Sequence, residues 1–145
     1  MQRLVLFNVG NCQLGVDMSA TAGVESATSL LGENETSSRK NTVIIDSEEI
    51  PVCDLSDMLG DSPASHDPGN RKVMLLRTQG DTLALLVDRV DRVIEVKDQN
   101  ILPLPPIFKG VAHACFPRVL IQEGQLVLVL SPEGMVRAAL RSDIT

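Results

Sequence analysis

Few side chains in this sequence carry the chemistry of a nucleophile or a metal ligand, and their spacing is sparse. The soft ligands are three cysteines, Cys12, Cys53 and Cys115, and two histidines, His66 and His113. His113 and Cys115 stand two apart, so on a strand both would face one side. A structural zinc site takes about four such ligands, usually in close pairs, and no CxxC or HxxxH pair exists here. A Cys–His nucleophile would need one of the cysteines to meet a histidine across the fold, because no local elbow supports it. The GxSxG, GxGxxG and P-loop patterns are absent, which removes the local signal for serine hydrolases and the usual nucleotide-binding loops. The acidic run Asp46-Ser47-Glu48-Glu49 lacks the glycine-centred spacing of a calcium loop and reads as a solvated hairpin turn. Asp88-Arg89-Val90-Asp91-Arg92 alternates in sign, the pattern of an exposed strand end whose ion pairs contribute little. These residues predict no metal, no cofactor and no catalysis. The contrasting prediction is a small β-barrel enzyme or ligand-binding protein with Cys115 and His113 in a pocket, which a fast-reacting, low-pKa thiol would reveal.

The elements that must position these residues are short and aliphatic. A chain of 145 residues can bury one sizeable core or two small subdomains that share one. Its aromatic residues are Phe7, Phe108 and Phe116, with no Trp or Tyr. The core must therefore be built from Val, Leu and Ile, and recognition through aromatic faces, as in single-stranded nucleic-acid binding, is disfavoured. A formal charge of −6 gives no electrostatic reason to approach phosphate backbones or anionic membranes. The first nine residues are too soon interrupted by Asn8 and Asn11-Cys12-Gln13 to form a signal-peptide core. The apolar stretch Leu126 to Leu130 is strand-sized, whereas a membrane helix needs about 20 residues. An odd number of isolated cysteines suits reduced thiols, and a cytoplasmic location is expected.

Three pairs of apolar runs flank tight-turn signals: Gly10-Asn11, Gly80-Asp81 and Glu123-Gly124. Further strands are expected at Thr42 to Asp46, Glu49 to Cys53 and Arg92 to Val96. Ala20, Val24, Ala27 and Leu31 recur every three or four residues, which predicts a short amphipathic helix over Ser19 to Leu31. Asp54 to Gly60 predicts one or two helical turns with Asp54 as N-cap. Pro132, after Ser131, opens a last helix. Residues 32–41 hold no apolar side chain, and residues 61–70 are rich in turn formers, so both read as loops. The second divides the strands into two halves, about 1–60 and 70–131, with a C-terminal extension over 132–145. The expected fold is all-β: two small five-stranded SH3-like barrels packed together, with one to three short helices. A single β-sandwich has the same periodicity. Val87, Val90, Val93 and Val96 are apolar amid charges, and they read either as core or as the floor of a groove between the barrels.

The order of these segments resembles the CheW-like family of bacterial chemosensory adaptors over nearly the whole chain. Leu6-Phe7 with Gly15-Val16-Asp17 is similar to that family's first strand pair, and Ile50-Pro51-Val52-Cys53-Asp54-Leu55 to its apolar-Pro-Val-x-Asp-Leu segment. Ala84 to Val90, running on to Val93, resembles its Gly-x-x-Val-Asp-x-Val strand, with Ala84 in the glycine place. Ile101 to Pro105 and Val119 to Leu130 follow in order. The resemblance implies intertwined barrels, no catalysis, and docking to the regulatory domain of a CheA-type histidine kinase and to a chemoreceptor's cytoplasmic helical tip. It places Val87, Asp88 and Val90 near the receptor-facing groove, so a charge at Val87 or Val90 should weaken receptor binding and leave the fold intact. Two departures stand out. Ile44-Ile45-Asp46-Ser47 replaces the family's Asn-Leu-Arg-Gly, so Asp46 reverses the charge of a partner-contacting arginine. Met18 to Leu31 is Ser/Thr/Ala-rich where the family carries a Val-x-x-Val-x-Glu-Ile pattern.

Overall fold

The computed structural model describes residues 1–26, 42–45, 47–55, 71–78, 80–104 and 115–144. The expected loops 32–41 and 61–70, together with Asp46, His66 and His113, lie outside them. Within the described residues the chain is mostly strand: β1 (Gln2–Val9), β2 (Cys12–Asp17), β3 (Thr21–Ser26), β4 (Thr42–Ile45), β5 (Glu48–Asp54) and β6 (Lys72–Thr78). It continues through β7 (Asp81–Val87), β8 (Arg89–Val96), β9 (Leu102–Pro103), β10 (Arg118–Gln122) and β11 (Gln125–Val129) to the helix α1 (Pro132–Ile144).

The expected hairpins form. Val9 pairs with Cys12 around Gly10-Asn11, and Gln122 with Gln125 around Glu123-Gly124. Glu123 and Gly124 both have positive φ, 51° and 77°, the backbone that matches a tight two-residue turn to the twist of its strands. In the second hairpin Thr78 pairs with Asp81, so Gly80 lies in the turn and Asp81 opens β7, one residue from the expected turn pair. Ile45 pairs with Glu48, which places Ser47, at φ 66°, in the turn expected for the acidic run. Ser131 Oγ accepts a hydrogen bond from Gly134 N at 3.1 Å and caps α1, with Pro132 at its first position. The helix expected over Ser19 to Leu31 does not form across the described part of that segment. Met18–Ala20 is a single 3-10 turn, and Thr21–Ser26 pairs with β6 as a strand that bulges between Thr21 and Gly23. Weak helix formers gain more from sheet pairing than from an isolated short helix. Of the helical turns expected after Asp54, that residue ends β5 and Leu55 is helical; the rest lies outside the described residues.

The strands assemble into two mixed sheets, ordered β8-β1-β2-β11-β10-β9 and β3-β6-β7-β5-β4, with parallel pairs β2–β11 and β5–β7. The two sheets do not follow the expected division at 61–70. Each sheet takes strands from both halves of the sequence: the chain leaves the first sheet after β2, builds the second, and returns with β8. Parallel pairs require long crossovers, and local hairpin signals carry no trace of those.

Among the described residues, period-two alternation feeds three cores. In β1, Val5, Phe7 and Val9 point into a central core between the sheets, while Leu4 and Leu6 join Val96, Ile101, Leu120, Val127 and Val129 in a core of the first sheet's own. In β7, Leu83, Leu85 and Val87 enter the central core, while Ala84 and Leu86 join Val43, Ile50 and Val73 in the second sheet's core. Strands buried on both faces read as nearly continuous apolar runs, which is why β1 and β7 lack visible alternation. Met135 and Val136 of α1 help close the central core.

Candidate functional site

The chain crosses from the second sheet to the first between Val87 and Arg89, through the single residue Asp88. Asp88 N donates to Asn8 O at 2.9 Å, and Asp88 Oδ2 accepts from Gly10 N at 2.6 Å, so one residue holds the β1 end of the β1–β2 turn at two points. On its other side Asp88 Oδ1 lies 3.4 Å from Arg71 Nε. Arg71, immediately before β6, is 8% exposed and is the charged residue that burial singles out among the described residues. Its guanidinium also forks over Asp54, Nη2 to Oδ1 at 2.7 Å and Nη1 to Oδ2 at 3.2 Å. One buried cation thus stands between two partly buried carboxylates at the junction of the sheets.

Beyond this junction the surface is polar. With its carboxamide turned to satisfy both groups, Asn8 accepts from Arg89 Nη2 at 2.6 Å and donates to Phe7 O at 3.1 Å. Arg92 reaches Glu123 at 3.2 Å and Asp91 at 3.9 Å. Together with Gly10, Asn11, Gln13, Gln122 and Gln125 these residues line a cleft of about 330 Å³ between the β1–β2 and β10–β11 turns. An apolar ledge adjoins it: Leu126 and its cross-strand partner Ile121 are 54% and 63% exposed, beside half-buried Cys12 and Leu128. Asp17 caps the 3-10 turn. Burial pushes its carboxyl up, but hydrogen bonds from Ser19 N and Oγ and from Gln2, aided by the charge of Arg118, outweigh this and hold it below the usual aspartate value.

The predicted site residues separate. Val87 is wholly enclosed in the central core, which argues against the expectation that a charge there would spare the fold, since a buried charge loses its hydration. Val90 is half-buried and packs against the same core. Asp88 is partly buried and bound into the junction, and Asp46 lies outside the described residues. The sequence reading missed Arg71 as Asp54's partner, since it took Asp54 for a helix cap. No local signal could have joined residues 54, 71 and 88, because sheet topology alone brings them together. Cys115 is buried, its Sγ 3.9 Å from Gly134 O, and burial raises its pKa. A low-pKa nucleophile is the opposite state. Among the described residues no three His, Cys, Asp or Glu side chains gather as a metal site would require. No helix among them is long and apolar enough to cross a membrane.

Two interlocked mixed sheets, with an ionic junction at their crossing and a polar cleft beside an apolar ledge, define a small β-rich module. The chain belongs to the CheW-like domain family, whose model matches residues 3–140. Its fold is similar to the crystal structure of the scaffolding protein TtCheW from Thermoanaerobacter tengcongensis, with a TM-score of 0.73 and 18% identity over 90% of this chain and 88% of that one. No curated protein sequence matches the chain.

Proposed function

We propose that this protein is a non-enzymatic cytoplasmic adaptor that couples a chemoreceptor to a CheA-type histidine kinase in bacterial chemosensory signalling. The observation that carries this reading is the family match across residues 3–140, supported by the likeness to a scaffolding protein along nearly its whole length. The surface fits the role. A cleft with both signs of charge beside exposed Ile121 and Leu126 offers orientation and apolar area, the two requirements of protein docking. Burial of Cys115 with its raised pKa speaks against the pocket-enzyme alternative.

Among the partner-binding residues, Val90 and Asp46 would touch partners directly, whereas Val87 and Asp88 would act by holding the strand that presents Val90. The charge reversal at Asp46 would retune the kinase contact. Calorimetric titration against the regulatory domain of the histidine kinase from the same cell tests the reading. Saturable one-to-one binding, tightened by Asp46→Arg, is expected. A folded protein that shows no heat at high micromolar concentration would remove the kinase-coupling role.

A further inference from the structure

Among the described residues the two sheets are joined by the central apolar core and, at their crossing, by an ionic contact. Apolar contact resists separation but tolerates sliding, because it has no preferred geometry. The ionic junction has geometry. Arg71 is held to the second sheet by its fork on Asp54, and its Nε faces Asp88 Oδ1. Asp88 in turn grips Gly10 N and Asn8 O in the first sheet. Asn8, Gly10 and Arg89, the residues next to or bonded within this chain of contacts, line the polar cleft. The Arg71–Asp88 contact is long, 3.4 Å, and Arg71 Nε has no hydrogen-bond acceptor, so a small shift of Asp88 would turn an ion pair into a charged hydrogen bond.

We propose that Arg71 and Asp88 form an inter-sheet latch, through which a residue of the second sheet sets the conformation of the β1–β2 turn and the shape of the polar cleft in the first. Tightening the latch draws Asp88, and with it the Gly10 amide, toward the second sheet; releasing it frees the turn. By linkage, anything that engages the cleft and moves the turn alters the junction to the same extent. Use of the latch by a docked partner rests on the adaptor reading. The latch itself does not, and its test needs no partner.

The test is backbone amide hydrogen exchange in the full chain, with Arg71→Met and Arg71→Lys compared with the parent. Both variants should speed exchange at Gly10, in the opposite sheet, by about tenfold, because the Asp88 carboxylate that accepts from its amide loses the cation that positions it. Amides of β11 should keep their protection, which shows that the sheet itself is intact. Arg3→Met, which breaks the exposed pair with Glu95 at 3.4 Å, should leave Gly10 unchanged. The lysine variant keeps the buried charge and so guards against a methionine variant that does not fold. Unchanged Gly10 exchange in a folded Arg71 variant overturns the latch, as does a rise spread equally over β11.

Discussion

The guanidinium of Arg71 lies across the carboxylate of Asp54 in a two-point fork, 2.7 Å and 3.2 Å, with the arginine side chain almost wholly removed from solvent. Arg71→Met should lower the free energy of unfolding by about 3 kcal/mol, because two partly buried carboxylates, Asp54 and Asp88, lose the cation between them. Arg71→Lys should cost less but not nothing, since an ammonium cannot span both oxygens of Asp54 and reach Asp88. Urea unfolding with an unchanged slope measures both. A loss below about 0.5 kcal/mol for the methionine variant would mean that water already screens the pair.

Val87 lies on the same face of β7 as Leu83 and Leu85, within the central core, and is fully enclosed. Val87→Asp should therefore leave little folded protein, because a carboxylate placed in the apolar core loses its hydration. Val87→Ala should fold and lose about 2 kcal/mol. Circular dichroism and thermal unfolding separate these outcomes. A soluble Val87→Asp protein with a parental melting temperature would show that the central core opens at this point.

These two positions also mark how far the sequence could be read. Hairpin turns were legible because two-residue turns impose a backbone that few residues adopt, and Gly10, Gly80 and Gly124 announce it. The last helix was legible from Ser131-Pro132, since capping is a local event. The strand β3 was not: Thr21, Val24 and their small neighbours carry no decisive local preference, and pairing with β6 decides the outcome. The site was the least legible part. Val87, Asp88 and Val90 look alike in sequence as the end of one strand, yet burial gives each a different role. The Asp54–Arg71–Asp88 junction depends on contacts across two sheets, for which one-dimensional spacing has no counterpart.

Acid should act through Asp17. Its pKa is lowered in the folded state, so its contribution to stability is complete above the unfolded value, near pH 4, and is lost as pH falls through the lower folded value. Asp17→Asn should flatten this acid limb of a stability–pH curve while changing the slope near neutrality little. The same acid limb in parent and variant would assign the effect to other carboxylates.

Glu123 occupies the left-handed region at φ 51° in a turn whose next residue, Gly124, sits at 77°. Side chains other than Asn, Asp and Gly are strained there. Glu123→Asn should raise stability by about 0.5 kcal/mol, even though it gives up the exposed 3.2 Å contact with Arg92, a pair of small worth. A denaturation midpoint that falls instead would show that the Arg92 contact outweighs the backbone relief.

Cys115 offers a final measurement, because its burial affects reactivity and stability together. Burial raises its pKa, so the folded state keeps the thiol protonated where the unfolded chain begins to ionise. The stability this confers is complete below the ordinary thiol value, about pH 8.5, and is lost as pH rises toward the higher folded value. A thiol reagent at neutral pH should modify half-buried Cys12 and Cys53 first and reach Cys115 only at the rate of opening of the core. Cys115→Ala should abolish the slow phase and soften the alkaline loss of stability. Rapid labelling of Cys115 in the folded protein, faster than that of Cys12, would place it in an open pocket and revive the reading of this fold as a thiol-dependent enzyme.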